Sequence, residues 1–119
     1  MPAVQKFESI IAWQKAHQLA LEVYAVARKF PRFEEFGLGS QIRRCAVSVP
    51  SNIAEGFKRQ STKDSLHFYN ISEGSLEELK YQLLLSRDLS YITEDAHRQL
   101  ISLAEEVGRL LYAWKKAQR

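Results

Sequence analysis

The sequence predicts an all-α protein, an antiparallel up-and-down four-helix bundle formed by one domain over residues 1–119, with helix 2 kinked near Pro50. Three observations carry this. Apolar residues recur at three- and four-residue steps in four separate segments, the signature of amphipathic helices. No window alternates apolar and polar residues as a half-buried strand does. The breaks between the segments are short, and short connections make successive helices antiparallel neighbours.

Residues Met1 to Glu8 read as a short lead, with Phe7 packing back. Ser9 is the expected N-cap of helix 1, because its hydroxyl can accept from a free backbone N–H of the first turn. The helix is expected from about Ile10 to Lys29, with Trp13, Ala16, Ala20, Val23, Tyr24, Ala27 and Phe30 on its apolar face. Pro31 ends it, since the residue before a proline disfavours the α conformation. Arg32 to Gly39 is a connection, and Phe33 and Phe36 are expected to cover one open end of the core.

Helix 2 is expected from about Gly39 to Phe57, and two stripes share it. Leu38, Ile42, Cys45, Val49 and Ile53 form the apolar one. Gln41, Arg44, Ser48, Asn52, Glu55 and Arg59 form a polar one, one position out of phase. Residues of this kind suit directed hydrogen bonds, so the polar stripe reads either as a solvated face or as a seam against another helix. In the seam reading it meets Glu73, Ser75 and Glu77 of helix 3, with Glu73 and Glu77 as candidate partners for Arg44. Pro50 removes a backbone donor and crowds the preceding turn, so a kink is expected, or two short helices meeting at Val49–Pro50.

Ser61 to Asp64 approximates a capping box, with Asp where Glu or Gln is preferred, and opens helix 3 from about Thr62 to Asp88. Gly74 lies mid-helix at a cost of about 1 kcal/mol relative to alanine, so it is expected to allow close approach of another helix, as is Gly56 on helix 2. Thr93 caps helix 4, with Glu94 and Asp95 in its positive first turn and Lys115 and Lys116 in its negative last turn. That helix is expected to run to about Ala117, with Leu100, Leu103, Ala104, Val107, Leu110, Leu111 and Trp114 inward.

These residues also carry a family resemblance. QIRRCAVSVPSNIAEG (Gln41 to Gly56), AWQKAHQLALEVY (Ala12 to Tyr24), FPRFEEFGL (Phe30 to Leu38) and EGSLEEL (Glu73 to Leu79) resemble the four-helix bundle proteins encoded by intervening sequences within bacterial 23S rRNA genes. The pieces follow the expected order and cover most of the chain. More distantly, the chain is similar to the accessory variability proteins of diversity-generating retroelements, pentameric bundles that partner a reverse transcriptase. The resemblance implies a four-helix fold, a ring-like homopentamer and an association with nucleic acid.

Composition bounds the function. Hydrophobic residues make up 45% and charged residues 26% of the chain, the balance of an ordinary globular domain. There is no apolar run of roughly 18 residues, so no membrane span is expected, and the N-terminus lacks a secretory apolar region. The single cysteine, Cys45, excludes an intramolecular disulfide, fits a cytoplasmic location and reads as a small buried hydrophobe on the apolar stripe. Of the Glu-x-x-His patterns that build di-metal bundle sites, only Glu94 to His97 is present, in a first helical turn. No nucleophile elbow, Walker loop or dinucleotide fingerprint occurs. The reading is therefore a non-enzymatic protein with no cofactor and no metal.

Net charge is +3 and the pI about 9.1, which permits a polyanionic partner without requiring one. The basic residues cluster in groups: Arg28, Lys29 and Arg32; Arg43 and Arg44; Lys58, Arg59 and Lys63; Lys115, Lys116 and Arg119. In an up-down bundle the first two groups meet at one end and the last two at the other. Each patch suits backbone phosphates, and each also suits ordinary charge complementation of helix C-termini. Two functions follow: a module that associates with nucleic acid, rRNA among the candidates, or a homo-oligomeric scaffold for a protein partner. For the second, Leu19, Leu21 and Val26 give helix 1 more apolar positions than one stripe needs.

Overall fold

The computed structural model describes residues 4–118. Four α-helices make up the body: α1 (Ile11–Ala27), α2 (Leu38–Phe57), α3 (Thr62–Asp88) and α4 (Glu94–Lys116), with single 3₁₀ turns at Phe7–Ser9 and Arg32–Glu34. Among the described residues there is no strand, and no helix is long and apolar enough to cross a membrane. Arg119 lies outside the described residues.

Packing follows chain order around a square. α1 meets α2, α2 meets α3, α3 meets α4 and α4 returns to α1. Cross-helix bonds fix the antiparallel sense. Ser48 pairs with Ser75 and Val49 with Ser72, so advancing along α2 means retreating along α3. The core runs down the axis through Leu19, Val23, Ile42, Val49, Ile53, Leu79, Leu83, Val107 and Leu111, all 0–1% exposed. Burial of this apolar area is the main stabilising term, at about 1.5–3 kcal/mol for each large side chain.

The ends of α3 and α4 are set by their caps. Ser61 Oγ accepts from the Asp64 N–H at 3.1 Å, and Thr93 Oγ1 accepts from the Ala96 N–H at 3.0 Å. The start of α1 departs from expectation. Ser9 closes the Phe7–Ser9 3₁₀ turn instead of capping, and Ile10, whose side chain offers no acceptor, occupies the cap position buried in the core. α2 runs through Pro50 as one helix. The Ser72 hydroxyl donates to the Val49 carbonyl at 2.8 Å, and the Asn52 amide donates to the Ser48 carbonyl at 2.8 Å, so polar side chains service the backbone around the proline.

The two glycines behave differently. A Cβ on Gly56 would lie 2.6 Å from the Tyr69 ring, so only glycine admits this contact of α2 with α3. A Cβ on Gly74 would meet nothing within 4 Å, so Gly74 serves no close approach inside the bundle. Phe33 and Phe36 do not cover the core. They are 77% and 91% exposed, and Phe30 and Tyr91 close that end instead, their rings 5.2 Å apart.

Candidate nucleic-acid interface

The connection between α1 and α2 builds a basic concavity. Its backbone folds through successive i→i+3 bonds, Glu34 N–H to Pro31, Glu35 N–H to Arg32 and Gly37 N–H to Glu34. Glu34 locks this turn to the rest of the bundle. Its Oε1 accepts from the Leu38 N–H at 2.9 Å, at the positive start of α2, and its Oε2 accepts from the Tyr91 hydroxyl at 2.7 Å, in the α3–α4 turn. The carboxylate that accepts this bond pushes the Tyr91 phenol above its usual range, with burial and the Glu34 charge adding to the shift. This linchpin was not legible from the sequence. Its signal was a glutamate four residues before the first residue of α2.

Fixing this turn places Arg28, Arg32 and Arg43 around one cavity of about 320 Å³, although they come from the end of α1, the connection and α2. Among the described residues none of the three forms an ion pair with a carboxylate. Among the described residues the one side-chain hydrogen bond of Arg43 is donated to the Glu35 carbonyl, at 3.3 Å. Glu34 and Glu35 line the same cavity, but both carboxylate oxygens of Glu34 are occupied by the protein's own donors. Lys29 is exposed beside the cavity and does not line it.

The opposite end gathers the other basic group differently. Arg59 is held by Glu55, one turn back, and its guanidinium lies 4.4 Å from the centre of the Phe68 ring. Lys115 bonds Glu73 at 2.7 Å, with both side chains partly buried. Lys116 lies 5.7 Å from the Tyr112 ring centre. Lys58 and Lys63 are exposed and without an ion pair among the described residues. One cleft here, about 570 Å³, is lined by Arg59, Tyr69 and Trp114 among others, and another, about 580 Å³, by Lys6, Glu55 and Lys58 among others.

The polar stripe of α2 divides. Ser48 Oγ and Ser75 Oγ lie 2.7 Å apart, Asn52 donates to the Ser48 hydroxyl at 3.0 Å, and the Cys45 thiol donates to the Ser75 carbonyl at 3.0 Å. These four residues form a short polar contact between α2 and α3. Burial, then the nearby Glu78 charge, push the Cys45 thiol up to about 12, so it stays protonated and unreactive near neutral pH. Gln41 and Arg44 are exposed and have no partner among the described residues. Glu73 and Glu77, expected near Arg44, instead pair with Lys115 and Lys80. The reason is geometric: the seam is one serine wide, and the long side chains at its edges reach the nearest cation on their own or the next helix.

A third feature is an apolar groove of about 460 Å³ between α1 and α2, lined by Trp13, Leu21, Tyr24, Val47, Pro50 and Ala54 among others. Leu21 is 59% exposed at its rim, and Trp13 stacks on His17 with ring centres 5.0 Å apart. Among the described residues no group of three or more His, Cys, Asp or Glu side chains is placed to hold a metal ion.

Residues 8–113 match the family model described as 23S rRNA-intervening sequence protein. Among solved structures, the chain is similar to a crystal structure of a protein of unknown function from the S23 ribosomal protein family of Bacteroides thetaiotaomicron. The two share 25% identity and superpose with a TM-score of 0.82, over 90% of this chain and 100% of that one. No curated protein matches the sequence.

Proposed function

The chain belongs to the 23S rRNA-intervening sequence protein family, and from that premise we propose that it is a non-enzymatic module that binds the phosphate backbone of RNA. The observation that carries the reading is the convergence of Arg28, Arg32 and Arg43 on one cavity with no carboxylate among the described residues bound to any of them. Guanidinium groups suit phosphate because their planar donor forks match its oxygens. Contact of this kind neutralises phosphates and releases counterions, so it is steeply salt-dependent and largely indifferent to sequence. The function needs no bond made or broken and no cofactor.

The test is binding of the purified protein to a structured rRNA fragment across a salt series, with mass followed by light scattering in the same samples. Binding that weakens steeply with salt is expected. No binding at low salt overturns the proposal.

A second reading, a homo-oligomeric scaffold of the ring-like pentameric kind that the family resemblance implies, is favoured by the apolar groove between α1 and α2. A groove of this character with Leu21 standing at its rim suits burial against another copy. Leu21→Asp is expected to leave the protomer folded and to lower the native mass. An unchanged mass removes Leu21 from any such interface.

A further inference from the structure

Phe33 and Phe36 sit three residues apart on the connection that bears Arg32, and they are 77% and 91% exposed. Isolated exposed apolar residues are common and need no account. Two of the largest within four residues, on the turn that supplies Arg32 to an arginine-lined cavity, form a pattern. The turn that carries them is held at several points. Its i→i+3 bonds restrict the backbone, Glu34 ties it to α2 and to Tyr91, and the Phe33 ring stands edge-on to Tyr91 at 6.5 Å between centres. The Tyr91 ring is in turn backed by buried Phe30. Phe33 is therefore exposed on a supported turn, and Phe36 is exposed three residues along the same turn, which also bears Arg32.

We infer that Phe33 and Phe36 are stacking platforms for unpaired bases, so that this end of the bundle takes single-stranded RNA, with Arg28, Arg32 and Arg43 holding the intervening phosphates. This rests on the phosphate-binding reading above and narrows it to a substrate class. Sequence-tolerant readers of single strands combine these two elements, a cationic groove for the backbone and aromatic faces for the bases. A duplex keeps its bases stacked on each other and offers only phosphates and groove edges, so it has nothing to lay on the rings. The cations also favour a polyanion over a neutral apolar partner, since an apolar partner would have to desolvate three unpaired guanidinium groups.

The test compares four proteins: the parent, Phe33→Ala/Phe36→Ala, Phe33→Leu/Phe36→Leu and Arg28→Ala/Arg32→Ala/Arg43→Ala. Each is titrated with a single-stranded oligouridine, a duplex RNA of equal charge and inorganic polyphosphate, with mass followed by light scattering. Both rings are exposed, so their replacement is expected to leave the melting temperature unchanged. The parent should prefer the single strand to the duplex. The alanine pair should lose about tenfold or more per ring on the single strand and nothing on polyphosphate. The leucine pair should lose nearly as much, because leucine keeps the apolar area and has no π-face. The arginine triple should weaken on all three ligands.

A parent that binds neither RNA nor polyphosphate overturns the phosphate reading and this one with it. A parent that binds RNA while the alanine pair binds the single strand equally well overturns the stacking assignment alone. Full retention by the leucine pair overturns it in favour of simple apolar contact. A lower native mass for either pair assigns the two rings to an interface between copies and also overturns it.

Discussion

At the end of the bundle where α1 turns into α2, Arg28, Arg32 and Arg43 surround one cavity and none is bound to a carboxylate among the described residues. At the opposite end, where α2 turns into α3 and α4 finishes, Arg59 is held by Glu55 and Lys115 by Glu73. In the sequence the two groups look alike, basic residues close to helix termini. The difference lies in what each cation has already spent. A lysine paired with a partly buried glutamate must break that pair, and leave a carboxylate behind, before it can neutralise a phosphate. Arg28 and Arg32 at the cavity wall have no such pair to break, and Arg43 has only its 3.3 Å bond to the Glu35 carbonyl. Proximity to a helix end, which favours any cation, thus says little about binding; the pairing state separates Arg28, Arg32 and Arg43 from Arg59 and Lys115.

The largest expected effect tests that contrast directly. Replacing Arg28, Arg32 and Arg43 by alanine should lower the slope of log affinity against log salt by about 2 on single-stranded RNA, at ~0.7 per phosphate contact. Replacing Lys58, Arg59 and Lys63 should lower it by no more than about 1.4, because the two lysines are unpaired among the described residues while Arg59 is already paired and stacked on Phe68. Equal slopes for the two triple variants would dissolve the distinction between the ends, and a larger change in the second would reverse it.

How much of this the sequence disclosed depends on the range of the interaction concerned. The caps Ser61 and Thr93 were legible because a cap is a bond within three residues. The core stripes were legible because burial follows the helical period. Ser9 misled because its hydroxyl is only one possible end to a chain that instead packs Ile10 inward. Phe33 and Phe36 misled because hydrophobicity announces a wish for burial, while the turn geometry set by Glu34 and Tyr91 decides which ring gets it. The meeting of Arg28, Arg32 and Arg43 on one cavity followed from topology, but their freedom from carboxylates did not, because ion pairing depends on the rotation of each helix about its axis.

The two glycines sharpen the comparison next, since Gly56 lies at the paired end and Gly74 on the outer face of α3. Gly56→Ala drives a methyl group into the Tyr69 ring and should cost about 1–3 kcal/mol in urea denaturation. Gly74→Ala meets open space and should gain up to about 1 kcal/mol from helix propensity. Because Gly56 is remote from the arginine cavity, Gly56→Ala should leave the salt slope of RNA binding intact; a change there would mean the two ends are coupled.

A smaller effect concerns the tie between Glu34 and Tyr91. The phenol is raised above its ordinary value in the folded protein, chiefly by its bond to the Glu34 carboxylate. A raised group contributes stability that is complete below the unfolded value of about 10 and is lost as pH climbs from there through the folded value. Melting temperature should therefore fall more steeply above about pH 10 in the parent than in Tyr91→Phe. Near neutral pH the variant should be modestly less stable, since Glu34 loses one donor and keeps the Leu38 N–H. Identical alkaline profiles would show that the bond is not maintained in solution.

The smallest effect separates the two halves of the α2 polar stripe. A structural seam running its full length would make Arg44 a buried or bridged cation, and its removal would destabilise the bundle. In the structure the seam consists of Cys45, Ser48, Asn52 and Ser75, while Arg44 stands exposed with no partner among the described residues. Arg44→Ala should therefore change stability by no more than about 0.5 kcal/mol, as surface substitutions generally do. Ser75→Val should cost about 1–3 kcal/mol, because it strips the Ser48 hydroxyl of its cross-helix partner in a half-buried setting. If Arg44→Ala is the more damaging of the two, the register of α2 on α3 is set by charge at the surface and not by the serine pair beneath it.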